Sequence, residues 1–293
     1  MICIADALQT LCLAISKGRA KLKPSEKNIK VFMDKTINTS INIIGSIPDY
    51  QFIYDVLHQL AKNSSKDEIY ESVIRKNIYN IRTEESRIRF LNGVKSAFWH
   101  FKNNDHETLI RSLFKSSRFE KTKRFSLFWM FAINNTLFEN ITINAFIKAY
   151  LSGRVQIRND EIVGYLNHFR EANDIVRKWS DSTIDRVSSK YLTFLKKIDF
   201  VKGRQKKEFY YIQVDDTSVI FFIYLLKAIT PNQHDIIKNK YIDLIFIDKH
   251  NLPNVLKKAK YTEYFNMKIT GQNIVIDPKY SFEELINVIS SRT

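Results

Sequence analysis

Between Trp179 and Val214, the polar and charged residues fall at spacings that suit contact with phosphates and base edges rather than bond-making chemistry. Ser182, Thr183, Arg186, Ser189, Lys190, Thr193 and Lys197 recur at helical spacing, and Lys202, Arg204, Lys206 and Lys207 crowd the segment that follows. Guanidinium and ammonium groups pair with phosphate oxygens, while hydroxyls reach phosphates or base edges. At about 100° per residue, Ile184, Val187, Tyr191, Phe194, Leu195 and Ile198 share one arc, and Arg186, Lys190, Thr193 and Lys197 share another. Burying the first arc turns the second outward.

Catalytic constellations are weaker. Asp215 and Asp216 are adjacent, and Asp243 and Asp248 bracket LIFI, but no Lys or Glu is spaced to complete a two-metal nuclease site. A turn and an element end explain these carboxylates more simply. His58, His100, His106, His168, His234 and His250 are scattered, without i,i+4 pairing or a Cys at ligand spacing. GxxxxGK[ST], GxGxxG and GxSxG do not occur. The expectation is a protein that is not an enzyme and uses no cofactor and no metal.

The elements that must position the basic residues can be read locally. Ser182, with Asp185 three residues on, has the form of a capping box and opens a helix over 182–197. Strands are expected at 200–202 and 209–214, joined by GRQKKE, in which Gly203 tolerates positive φ. Upstream, Thr142 caps a helix running through Leu151, and Asp160 opens a longer one toward Lys178. Helix, turn, helix and two-stranded wing is the order of a winged helix-turn-helix. Helix 182–197 would enter the major groove, with GRQKKE as the wing tip.

The predicted fold is mainly α with minor β. A helical N-terminal domain covers 1–135, the winged helix-turn-helix 136–215, and a C-terminal α+β domain 216–293. Breaks are expected at 45–48, 63–65 and 103–105, and 126–138 is aromatic enough to be a core helix. VIFFIYLL at 219–226 is far too short to cross a bilayer and reads as part of a buried helix over 218–229. A second hairpin is expected around Gly271, ahead of a last helix over 281–289, so that the C-terminal domain resembles a second winged-helix-like unit.

Forty-six Lys and Arg against 31 Asp and Glu give the 293-residue chain a formal charge of +15, which favours polyanionic partners. Part of that excess reflects the coding bias that also enriches Ile and Asn. Two further basic stretches, RKNIYNIRTEESRIRF at 75–90 and RSLFKSSRFEKTKR at 111–124, are most simply solvated helix faces. The first still offers Arg75, Lys76, Arg82, Arg87 and Arg89 as further phosphate contacts. Trp99, Trp129 and Trp179 read as core or cap residues. Cys3 and Cys12 are too few for a disulfide framework, and ICIADALQTLCLAI lacks a preceding basic segment, so a reducing cytoplasm is expected and no membrane partner.

NIYNIRTEESRIRFLNGV at 77–94, the helical middle, and WSDST at 179–183 leading into RVSSKYLTFLKK together resemble the BrxA family of bacterial phage-exclusion (BREX) systems. The resemblance spans roughly 40–215. It implies a cytoplasmic, non-catalytic, DNA-binding component with a helical N-terminal region and a winged helix, acting beside a DNA methyltransferase and other defence subunits. Ser182, Thr183 and Arg186 fall on the matching signature. The combined expectation is binding to double-stranded DNA mainly through its phosphates. A protein-interaction scaffold docking defence subunits is the alternative, and a nuclease or an RNA-binding protein a weaker one.

Overall fold

The computed structural model describes residues 49–292 apart from Gln205 and Gln272, and it is mainly helical with two small antiparallel sheets. The apolar stretch at 1–14, its two cysteines and the break expected at 45–48 lie outside the described residues.

Local chemistry sets most helix boundaries. Helix α1 (Tyr50–Ala61) buries Phe52, Ile53, Val56, Leu57 and Leu60, and the chain turns just after it at Asn63, φ 65°. Helix α2 (Lys66–Tyr70) opens on a capping box between Ser65 and Glu68 and runs into a π-helical turn, Glu71–Arg75. Thr83 caps α3 (Glu84–Phe98) and Asn103 caps α4 (Asn104–Lys115). Helix α5 (Glu120–Asn134) is buried almost all round, as its aromatic sequence predicts, but it stops at Asn135. That side chain accepts from the Phe138 N–H and starts α6 (Thr136–Ile141).

Two expected starts therefore move, that of Thr142 back to Asn135 and that of Asp160 to Arg158, the N-cap of the helix over Asn159–Ala172. From α6 the chain continues through a π-helical segment, Thr142–Ile147, into α7 (Lys148–Leu151). Thr142 lies inside this rod, fully buried and hydrogen-bonded to the Tyr191 hydroxyl at 3.1 Å, so Asn135 is the cap. Strand β1 (Gln156–Ile157), which the sequence reading missed, precedes α8 (Asn159–Ala172), and a break at Asn173 leaves α9 (Asp174–Arg177) separate.

Helix α10 (Asp181–Lys197) comes next, then β2 (Val201–Lys202) and β3 (Lys207–Phe209). The strand order is β1-β3-β2, with Gln156 opposite Glu208 and Val201 opposite Phe209. Strand β3 begins earlier than expected, because β1 pairs with Lys207 and Glu208 while β2 pairs with Glu208 and Phe209, and it stops at Phe209.

Asp215 caps α11 (Asp216–Ile229), whose residues 218–226 are all buried. Two 3-10 turns, Ile236–Lys238 and Ile242–Ile245, lead to α12 (Leu252–Leu256) and α13 (Ala259–Thr262). Strands β4 (Phe265–Thr270) and β5 (Asn273–Pro278) form the expected hairpin, with Gly271 at φ 60°, before α14 (Leu285–Arg292). No helix among the described residues is long and apolar enough to cross a membrane.

The described residues fall in one compact unit. Aromatic rings from distant stretches meet around α10: Phe194 packs on Phe98 at 6.2 Å and Phe131 at 5.1 Å, and Tyr191 on Phe138 at 5.2 Å. Phe246 reaches Phe125, Phe128, Phe146, Tyr150 and Phe200 at 5.4–6.4 Å, holding the left-handed φ of 58° that lets its ring enter. Burying such a ring is worth roughly 2–3 kcal/mol, which offsets an uncommon backbone angle.

Candidate nucleic-acid interface

Helix α10 separates its faces as the projection predicts. Ile184, Val187, Tyr191, Phe194 and Leu195 are buried, joined by Ser188 and Leu192, while Ser182, Arg186, Ser189 and Thr193 are exposed. Its start differs from the expectation. Ser180, not Ser182, is the N-cap, accepting from the Thr183 N–H at 3.3 Å. The Ser182 hydroxyl lies 3.0 Å from that of Ser180, outside the first turn's backbone bonding. Arg170 of α8 fixes the entry, donating to Trp179 O at 3.3 Å and Asp181 at 2.7 Å.

Asn159, at the start of α8, sets the crossing of the two helices. Its side-chain oxygen accepts from Ser188 Oγ at 2.8 Å and Ser189 Oγ at 3.4 Å. Ser189 is thus partly committed to α8, and Thr193 Oγ1 donates back to Ser189 O at 2.8 Å.

The basic residues divide by what they touch. Arg186 is exposed, and Lys190 is half-buried beside it. Burial, and then the positive charges of Arg186 and Arg89, lower the Lys190 pKa from its ordinary value. Arg89, exposed on α3, is therefore the residue of the 75–90 stretch whose charge falls within reach of the α10 face. Lys197 is half-buried at the helix end, its pKa lowered by burial against the opposing charge of Asp49. Thr183 is half-buried in the first turn.

At the hairpin, Gly203 holds φ 97°, and a Cβ there would collide with the Lys206 carbonyl oxygen. Arg204 and Lys206 are exposed. Lys207 instead turns inward, donating to Gly203 O at 3.1 Å and Arg204 O at 2.7 Å, and so braces the turn it was expected to decorate. Burial and then the charge of Lys196 lower its pKa. Lys202 is exposed but sits 3.4 Å from Glu208 across the strand pair.

Arg75, Lys76 and Arg82 are exposed ahead of α3. Arg87 is structural: half-buried, it donates to Ile81 O at 2.9 Å and ties the preceding loop to α3. Lys196, missed by the sequence reading, is exposed and continues the stripe of Ser189 and Thr193, a signal present in the i,i+3 and i,i+4 spacing.

A family model for BrxA matches residues 50–217, more than half of the chain. The chain belongs to the BrxA family. That membership points to a component of a bacterial phage-exclusion system. The BrxA match takes in α1 to β3 and so every residue of the α10 face and the hairpin, whereas nearly all of α11 and everything after it lie beyond. A crystal structure of an uncharacterized protein from Magnetospirillum magneticum is similar at 12% identity and a TM-score of 0.49, over 64% of this chain and 96% of that one. No curated protein matches the chain.

The carboxylates weighed for metal chemistry in this BrxA chain each have a partner in the fold. Asp215 caps α11, Asp216 accepts from Tyr261 at 2.6 Å and from Lys260, Asp243 pairs with Lys249 at 2.9 Å, and Asp248 accepts from the His250 N–H at 2.7 Å. Among the described residues, no three or more His, Cys, Asp or Glu side chains are grouped to hold a metal ion.

Proposed function

We propose that this BrxA protein is a non-catalytic, DNA-binding component of its phage-exclusion system, acting in the cytoplasm and gripping duplex DNA mainly through phosphates. The observation that carries the reading is the outward face of α10. Arg186 and Lys190 lie there with Arg89 close by, and Arg204 and Lys206 stand exposed on the adjoining hairpin. The α7–β1–α8–α9–α10–β2–β3 order, with β3 between β1 and β2, supports reading this segment as a winged helix-turn-helix. In that arrangement α10 lies in the major groove and the hairpin tip follows the flanking backbone. Other defence subunits, a DNA methyltransferase among them, are the expected protein partners.

A gel shift titrated with salt tests the reading. Affinity for any duplex should fall steeply as salt rises, with a slope near −0.9 per phosphate contacted, and by less for single strands. Absence of binding at low salt would sink it.

A second reading, docking of a partner subunit, draws on one specific observation. Leu151, Val155, Tyr210 and Tyr211 are exposed at 43%, 77%, 42% and 84%, and all lie on or beside the small sheet. A partner retained through high salt and nuclease treatment, and released by Tyr211→Ala, would favour it.

A further inference from the structure

The expected pairing of Asp185 with Ser182 in a capping box does not form, because Ser180 takes that role. Asp185 is thereby left in the exposed arc of α10, next to Arg186 and between Ser182 and Ser189. Among the described residues, its carboxylate has no hydrogen-bond or ion-pair partner. Asp185 lines a shallow cavity with Arg158, Asn159, Asp160 and, from the hairpin tip, Lys206; Arg158 pairs there with Asp160 at 3.2 Å, and neither cation pairs with Asp185. Asp181, the other carboxylate at this end of α10, is held by Arg170 at 2.7 Å.

An unpartnered carboxylate on a face that meets a polyanion is repelled by every phosphate near it. It is tolerated where it meets a hydrogen-bond donor, and in the major groove the donors are the exocyclic amino groups of cytosine and adenine. Guanine O6 and N7 and thymine O4 are acceptors and repel it. A carboxylate pairs best with cytosine N4, while the neighbouring guanidinium suits guanine.

We infer that Asp185 is a specificity-determining residue that makes one base position of the bound duplex prefer cytosine on a surface otherwise held by phosphates. This rests on the DNA-binding reading above. Arg186 and Lys190 supply the affinity common to all sequences, and Asp185 opposes that affinity wherever the base edge beneath it is an acceptor.

The test is selection from a pool of random duplexes at fixed moderate salt by the full chain, in parallel with Asp185→Ala and Asp185→Asn. The parental protein should enrich cytosine at one aligned position. Asp185→Ala should lose that enrichment and bind the unselected pool about two- to fourfold more tightly, as expected for removing one like charge. Asp185→Asn, whose amide both donates and accepts, should broaden the preference without restoring cytosine. Because the side chain is exposed, both variants should melt with the parent.

A parental pool without cytosine enrichment overturns the inference. So does an Asp185→Ala pool with the same enriched base and only a uniform change in affinity. Failure of the parental protein to retain any duplex at low salt is a different result, since it removes the DNA-binding reading itself.

Discussion

Residues 111–124 and 182–207 are both rich in Lys and Arg, yet the fold treats them in opposite ways. In the first stretch four of the cations are tied to partners in the fold, while Lys115 and Lys121 stay exposed. Arg111 pairs with Glu107 and caps the Leu60 carbonyl, Arg118 donates to Ser290 O at 2.9 Å, and Arg124 pairs with Asp199 over the Tyr50 ring. Lys123 is buried, donating to Ser116 O at 2.7 Å beneath the Tyr54 ring. In the second stretch, Arg186, Arg204 and Lys206 stay exposed. Cation density alone therefore does not mark a binding surface. What differs is the apolar pattern beneath: α10 buries one arc and presents the other, whereas α5 is apolar on nearly all sides and draws even a lysine inward.

The contrast breaks first at Lys123. Lys123→Ala should cost about 2–4 kcal/mol, since it opens a cavity and strands Ser116 O, while leaving DNA affinity unchanged below the melting temperature. An unaltered Tm would place Lys123 outside the core.

The packed region should also carry a pH dependence in the acid range that the lysines and arginines of the exposed face lack. His106 is buried at the start of α4, its Nδ1 accepting from the Lys102 N–H at 3.2 Å. Burial first, then the charges of Lys102 and His100, push its pKa down to about 4. The native state therefore binds fewer protons than the unfolded chain, whose histidine titrates near ~6.5. This contribution is complete above the unfolded pKa and is lost as pH falls toward 4, amounting to on the order of 3 kcal/mol. Denaturation midpoints in urea across that window should follow the curve, and His106→Asn should flatten it.

The exposed face should do the reverse. Arg186→Ala with Lys190→Ala should weaken duplex binding about tenfold or more at low salt and reduce the salt slope by up to about 2, with stability held within roughly 0.5 kcal/mol. Loss of folding instead of binding would move these residues into the packed class. The smallest effect separates two serines: Ser180→Ala should cost about 1 kcal/mol as a lost cap, and Ser182→Ala less than about 0.5 kcal/mol. Equal costs would restore the capping role expected of Ser182.

Most of α10 was legible because its packing period is regular and its polar positions fall between. Its start was not, since Ser180 and Ser182 are equally good cap residues by type, and Arg170 on another helix decides between them. Strand β1 left no signal, being two residues long and held by pairing with β3 and by burial of the single side chain of Ile157. Lys207 reads as a tip residue but bends back on the Gly203 and Arg204 carbonyls, which no linear pattern announces. Arg89 was one basic residue among five in its stretch, and only the placement of α3 sets its charge near Lys190.

By itself the sequence determined the mainly helical class, the apolar arc of α10, the Gly203 and Gly271 turns and the family. These depend on periodicity, composition and backbone sterics, which are local. Tertiary structure decided which serine caps α10, which cations are spent on packing, that Asp185 is left unpartnered and that Phe246 enters the aromatic core from far along the chain. Those outcomes depend on contacts between residues distant in sequence, where burial and partner geometry outweigh residue type.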